Sequence, residues 1–333
     1  MSMEVTTLSA VNVHAVESTA QGMAVTWRWR LFLRKRSEEM SPIDPNNKNE
    51  REPYVVSGKG YTAVAISAAA KAGEWIKSRQ GQVKELGTKT SAQDLVTEVD
   101  KGVEQMIRRL ILTHYSDHAI LGEEAVPPGA AAATAAVEEV RENDFLWIVD
   151  PVDGTTNFVH GFPFYCVSIA LVVRGELTVG VIYDPIRDEM FVAEKGKGAY
   201  MHGVPTKVSV ENEFGDSLIA MGFPPDREFA QPVNMAGLQS ILPQIRGVRA
   251  GGSAALHLAY VAAGRVDGYW EVGLNPWDCA AGVLLILESG GKVTDTLGRP
   301  YDISTRHIVA SNGRIHDYLV KSLVDAEATG YKL

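Results

Sequence analysis

The chain has 333 residues, 45% of them apolar and 22% charged, the balance of a folded globular protein, which excludes a fibrous or wholly disordered one. Its 41 acidic side chains outnumber 32 basic ones, and the resulting net charge of −9 argues against a nucleic-acid partner, because such proteins cluster Lys and Arg. Only Cys166 and Cys279 are present, too few for a disulfide framework and fitting a reducing, cytoplasmic compartment, and no apolar run reaches the roughly 18 residues that a membrane span requires.

Residues 1–55 read as an extension, either disordered or targeting. The run from Trp27 to Arg36 is basic and apolar, with only Glu4 and Glu17 acidic before it, compatible with an organellar transit peptide. Met40 is an alternative start, since the polar stretch from Ser41 to Pro53 leads straight to the first helix. The remainder, 56–330, reads as one catalytic domain. Val64, Ile66, Ala69 and Trp75 recur at mostly helical spacings over Tyr61–Gln80, and Val99, Val103, Ile107, Leu110 and Ile111 do so over Asp94–Tyr115. The polar link between them, from Gly87 to Asp94, predicts an exposed turn or short hairpin. Ala119–Gly122 is a short strand running into Glu123 and Glu124. The alanine-rich segment at about 126–140 resembles a low-complexity surface insertion.

Phe145–Val149 is a continuous apolar run of the kind that forms a buried strand, and Pro151 with Asp153-Gly154 marks a turn after it. Cys166–Val173 and Leu177–Tyr183 flank Arg174-Gly-Glu176 and predict a hairpin, with further strand over Met190–Tyr200. Helices are predicted over Phe229–Leu242, Ser253–Ala263, Trp277–Ser289 and Asn312–Asp325, separated by strands near Ser217–Met221 and Val266–Glu271. Interleaved helices and largely antiparallel strands imply an α+β layered architecture, not a doubly wound parallel sheet.

The densest chemistry is Asp150-Pro-Val-Asp153-Gly-Thr-Thr156, two carboxylates and two hydroxyls at a strand's end. Such oxygen donors suit Mg²⁺, which is held by one or two carboxylates together with substrate phosphate, although an ordinary Pro-x-Asp-Gly turn uses the same residues. Asn275 and Pro276 are good first residues for a helix, so Asp278 in its first turn either complements the helix dipole or ligates metal. Glu123 and Glu124 are equally open, as solvated acids or ligands. His114 and His118 have helical metal-pair spacing without a third ligand motif and read as a solvated helix end. Gly58-Lys-Gly60 and Gly196-Lys-Gly198 lack the full phosphate-loop pattern, and Trp270 and Trp277 read as core or site-wall aromatics.

Taken in order, Asp94-Leu-Val-Thr-Glu-Val-Asp100, Gly122-Glu123-Glu124, Asp150 to Phe158, Gly252-Ser-Ala-Ala255 and Trp277-Asp278 with Ala281-Gly282 resemble the inositol monophosphatase family of Mg²⁺-dependent, lithium-sensitive sugar phosphatases. The resemblance spans about Tyr61 to Ile315 and implies a layered αβαβα sandwich. It implies two or three Mg²⁺ ions, the first held by Glu123, Asp150 and the Val152 carbonyl, the second by Asp150, Asp153 and Asp278. It makes Thr155, Asp100 and Glu123 the catalytic residues, Thr155 positioning the attacking water and Asp100 accepting a hydrogen bond from the Thr155 hydroxyl, with no phosphoenzyme intermediate. Substrate would be met by Gly154, Thr155, Gly252, Ser253, Ala254, Glu271 and Lys89. The implied substrate is inositol monophosphate, with another sugar-1-phosphate or 3′-phosphoadenosine 5′-phosphate as alternatives and a non-catalytic scaffold as the rival from another class. A homodimer is the implied assembly. Asn275 and Pro276, where some animal members carry His and Cys, and the Gly222-Phe-Pro-Pro-Asp226 loop depart from the family pattern on the substrate side.

Overall fold

A seven-stranded and a five-stranded sheet clasp a pair of helices between them in the computed structural model, which describes residues 60–81, 86–88 and 95–332. The N-terminal extension and Lys89 lie outside the described residues, and 57–333 form one unit. In chain order, helix α1 (Tyr61–Arg79) is followed by the antiparallel pair β1 (Leu86–Thr88) and β2 (Leu95–Thr97), then α2 (Glu98–His114). The hairpin expected between the first two helices is therefore present. Its second strand takes the start of the segment read as helix, and α2 begins only at Glu98, where Glu98 and Asp100 supply first-turn acids that favour a helix N-terminus.

The larger sheet runs β3 (Ala119–Gly122), β4 (Phe145–Asp153), β5 (Cys166–Val173), β6 (Glu176–Asp184), β7 (Glu189–Glu194), β8 (Gly198–Met201) and β9 (Val204–Pro205), neighbours in that order. Only β3 and β4 pair in parallel. The smaller sheet contains β10 (Leu218–Met221), β11 (Gly247–Arg249), β12 (Gly268–Val272), β13 (Lys292–Asp295) and β14 (His307–Ser311), in the spatial order β11-β10-β12-β14-β13. Short α4 (Thr155–His160) follows β4. Helices α6 (Ala254–Ala262) and α7 (Pro276–Glu288) fill the space between the sheets, α1 and α2 cover the outer face of the large sheet, and α5 (Ala230–Ile241) and α8 (His316–Asp325) cover that of the small one.

Period-two alternation divides the small sheet between two cores. Ala220, Tyr269, Ile308 and Ala310 face inward among the residues of α6 and α7. Their neighbours Ile219, Met221, Trp270 and Val309 face outward onto Ile241 of α5 and Leu319 and Leu323 of α8. Because α6 and α7 are enclosed by sheet on both sides, they are apolar on nearly every face. No helix among the described residues is long and apolar enough to cross a membrane.

Three further local readings differ from the structure. Ala130–Val140 of the alanine-rich segment forms helix α3, and Ala133 and Val137, four residues apart, are buried in the inner core. Low complexity hid an ordinary one-faced helix. His118 is buried, not solvated: its Nδ1 accepts from Trp147 Nε1 at 2.9 Å and its ring stacks on Phe145 with centroids 4.4 Å apart. Two His at helical spacing gave no sign of the chain turning inward after His114. At the C-terminus, the Asn312 side chain accepts from the Arg314 and Ile315 amides and so delays helix α8 to His316.

Candidate active site

The site begins with a fault in β4. Asp150 pairs with Ser168 and Asp153 with Cys166, so Pro151 and Val152 together oppose Val167 alone, a bulge at the residue that has no amide hydrogen to give. The Val152 amide donates to Asp150 Oδ1 at 3.0 Å across the bulge. Gly154 then adopts φ +99°, a left-handed conformation, and turns the chain into α4. Thr155, first in that helix, directs its hydroxyl at two acceptors, Asp100 Oδ1 at 2.9 Å and the Val152 carbonyl at 3.1 Å. A hydroxyl has one proton, and the buried carboxylate of Asp100 is the stronger acceptor.

Asp153 is held from the opposite side. Its Oδ2 accepts from Ser253 Oγ at 2.5 Å and from the Ala255 amide at 2.7 Å, and its Oδ1 from the Ala254 amide at 3.3 Å. These donors are the N-cap and first turn of α6, where unsatisfied amides and the helix dipole favour an anion. Even so, burial pushes the Asp153 carboxyl up to about 6, with the nearby Glu123 charge adding to the rise against those hydrogen bonds. Asp278, in the first turn of α7, accepts from the Asn275 amide at 2.7 Å. Burial, then Glu123 and Asp153, raise it well above the usual carboxylate range. Three acids thus share one electrostatic neighbourhood, and among the described residues no basic side chain lines the cleft wall.

That cleft, about 380 Å³, is lined by Glu123, Asp153, the first residues of α4, the 222–225 loop, Gly252 to Ala254, Glu271 and Asp278. Glu271 is buried on β12, accepts from the Tyr269 hydroxyl at 2.5 Å, and is pushed up to about 8, chiefly by burial. Gly222 explains how its carboxylate fits, since a Cβ there would lie 1.9 Å from Glu271 Oε2. Asn157 closes the floor, its amide donating to the Phe164 carbonyl at 2.6 Å and to the Gly251 carbonyl at 2.7 Å. Among the described residues, no three His, Cys, Asp or Glu side chains already form a cluster that could close on a metal ion.

The sequence profile of the inositol monophosphatase family matches residues 59–328. The chain belongs to that family. It is 42% identical over 263 residues to an inositol-1-monophosphatase of Synechocystis sp., an alignment covering 79% of this chain and 88% of that one. A Nus factor SuhB of Pasteurella multocida is 41% identical, over 76% of this chain and 91% of its own. Among solved structures, the extragenic suppressor protein suhB of Bartonella henselae superposes with a TM-score of 0.71 at 37% identity, covering 78% of this chain and 96% of that one.

Membership of the inositol monophosphatase family agrees with the layered αβαβα arrangement expected from the motifs. The structure brings Glu123, Asp153, Gly154, Thr155, Gly252, Ser253, Ala254, Glu271 and Asp278 to one cleft. Asp100 touches it through Thr155. Asp150 and Val152 are buried just behind the wall. The Ser253 side chain and the Ala254 amide are turned to Asp153, so their hydrogen-bonding capacity is engaged within the protein. Sequence reading passed over Asn157, Gly222, Glu104 and Arg306. Asn157 stood inside the quoted motif and could have been singled out as its only amide. Glu104 lies inside helix α2, whose heptad-like apolar pattern offered no reason to pick one polar residue.

Proposed function

We propose that this protein hydrolyses a small phosphomonoester, inositol monophosphate first among candidates, by direct attack of water in a cleft that binds Mg²⁺. The observation that carries the reading is the Thr155–Asp100 hydrogen bond beside a buried cluster of carboxylates. With its proton committed to Asp100, the Thr155 hydroxyl keeps lone pairs that accept from a water in the cleft and orient it. The same commitment leaves the Val152 carbonyl available to a cation. Gly154 and the first residues of α4 line the cleft, and their amides suit phosphate oxygens, as helix starts carry donors without intrahelical partners. Glu271 accepts from hydroxyls of the leaving alcohol when ionised.

The donor set fits Mg²⁺ on its chemistry. It is made of hard oxygens, and the nearest sulfur, Cys166, is buried with its thiol pushed well above the usual range. Glu123, Asp150 and the Val152 carbonyl would hold one ion, and Asp150, Asp153 and Asp278 a second. Acids whose carboxyls resist ionisation through burial and mutual repulsion gain the most from bound cations. When bound, the ions supply charge neutralisation at the phosphate and lower the pKa of water. Residues 56–330 carry the whole reaction, the extension 1–55 taking no part. The test is phosphate release from inositol 1-phosphate, a panel of sugar phosphates and 3′-phosphoadenosine 5′-phosphate, with Mg²⁺ and with chelator. Turnover on one of these that disappears with chelator is expected. No turnover on any would overturn the enzymatic reading, and turnover indifferent to chelation would overturn the metal.

A further inference from the structure

Asp278 owes its place to the turn at 273–275 that joins β12 to α7, and this turn is gripped by a residue distant in sequence. Arg306 immediately precedes β14. Its main-chain carbonyl accepts from the amides of Gly273 at 3.0 Å and Leu274 at 2.8 Å. Its guanidinium donates through Nη1 to the side-chain oxygen of Asn275 and through Nη2 to the Gly273 carbonyl at 3.3 Å. The adjacent His307 Nδ1 accepts from the Gly273 amide at 3.1 Å. Asn275 is the link: Arg306 holds its side chain, and its amide holds Asp278 Oδ2 at 2.7 Å.

We propose that Arg306 is a positioning residue for the Asp278 carboxylate, fixing the 273–275 turn and so setting where Asp278 stands among the cleft acids. This rests on the reading of Asp278 as a cation ligand. Arg306 is itself absent from the cleft wall, so it acts through Asn275 and not on substrate. The two acceptors, a side-chain amide oxygen and a carbonyl two residues earlier, suit a planar guanidinium with several donors. An ammonium, a point charge on a flexible stem, holds them less rigidly. The guanidinium is also half-buried and feels the Asp278 charge, which counters the downward pull of burial on its pKa. Its positive charge therefore offsets part of the repulsion among the acids while leaving the cleft face to cations.

The experiment compares the full chain with Arg306→Lys and Arg306→Gln by thermal denaturation, in chelator and over a Mg²⁺ series, together with kcat and KM for phosphate release. The Mg²⁺ concentration at which the melting temperature begins to rise is expected to increase about ten- to a hundredfold in Arg306→Gln and less in Arg306→Lys, the range typical for partners one layer behind a metal ligand. KM at saturating Mg²⁺ should stay close to the parent value. Arg306→Lys retains the charge and carries the test should Arg306→Gln fail to fold. Variants that melt lower in chelator yet begin to gain stability at the parental Mg²⁺ concentration would assign Arg306 a purely structural role and overturn the proposal. A parent chain with no Mg²⁺ response would instead overturn the cation reading of Asp278, and this inference with it.

Discussion

Glu104 offers the sharpest test of how the Glu123 side of the cleft is built. Its carboxylate is buried to 4% exposure, accepts from the Glu124 amide at 2.7 Å through Oε2, and from Arg108 Nε at 2.9 Å through Oε1. Gly122 lies against it so closely that a Cβ would meet the carboxyl carbon at 2.4 Å. Glu104→Ala deprives the Glu124 amide of a charged acceptor, a loss of about 1.5–3 kcal/mol. The Arg108 side chain is 28% exposed and recovers water, so that half of the interaction adds only about 0–1 kcal/mol. The sum is a destabilisation of roughly 1.5–4 kcal/mol. Glu104→Gln keeps an acceptor of the same shape and should lose about half as much. Urea unfolding monitored by tryptophan fluorescence measures both, and phosphate release should fall in the same order, because Glu123 rides on the segment that Glu104 pins. Glu104→Ala unfolding at the parental midpoint, or the two variants behaving alike, would refute this account.

Thr155→Val, which keeps shape and removes the hydroxyl, should lower kcat by about 10²–10⁴, whereas Thr155→Ser should retain most of it; equal losses in steady-state phosphate release would mean that the hydroxyl does not orient water. Gly222→Ala must displace the Glu271 carboxylate and should raise KM by roughly ten- to a hundredfold with kcat largely kept, so an unchanged KM would remove Glu271 from the substrate contacts. In chelator, stability should fall as pH rises from about 7 to 8, because folded Glu271, with its carboxyl pushed up to about 8, keeps a proton that the unfolded chain has released. The window starts there because His257, His307 and His316, held down near 4, add stability with rising pH until unfolded histidines, half-protonated at about 6.5, have lost most of their protons. A flat or rising denaturation midpoint across that window would contradict the burial of an uncompensated Glu271.

Much of the architecture was legible because it rests on local pattern. The apolar run before Asp150 had to be a buried strand, and Asn275-Pro276 had to open a helix; both stand as expected, and the order of five motifs led to the family. What escaped is what depends on separation in sequence. Nothing within a few residues of His118 marks it as the acceptor of the Trp147 indole 29 residues later. The alanines of α3 differ little from a disordered tract until the large sheet provides a surface for Ala133 and Val137. Ser253 matched a substrate-side segment, yet its hydroxyl is spent on Asp153, a partner 100 residues away. Motif matching identifies such residues without telling which way they face.

The helical layer enclosed between the sheets also bears on how the protein is made. All seven strands of the large sheet are complete once Pro205 is synthesised, but α7, which packs on β4, β5, β6 and β7, ends at Glu288. At cellular elongation rates the interval lasts on the order of ten seconds. Throughout it, one apolar face of the large sheet has no partner, the situation in which nascent chains associate wrongly or need a chaperone. Residues 254–288 thus act as a late-arriving wedge, and a ribosome-bound chain halted before them would hold Asp100, Asp150 and Thr155 without Asp278. Activity on a ribosome should accordingly appear in one step, when the wedge and the Arg306 segment that fixes its leading turn have both emerged, and not in proportion to chain length.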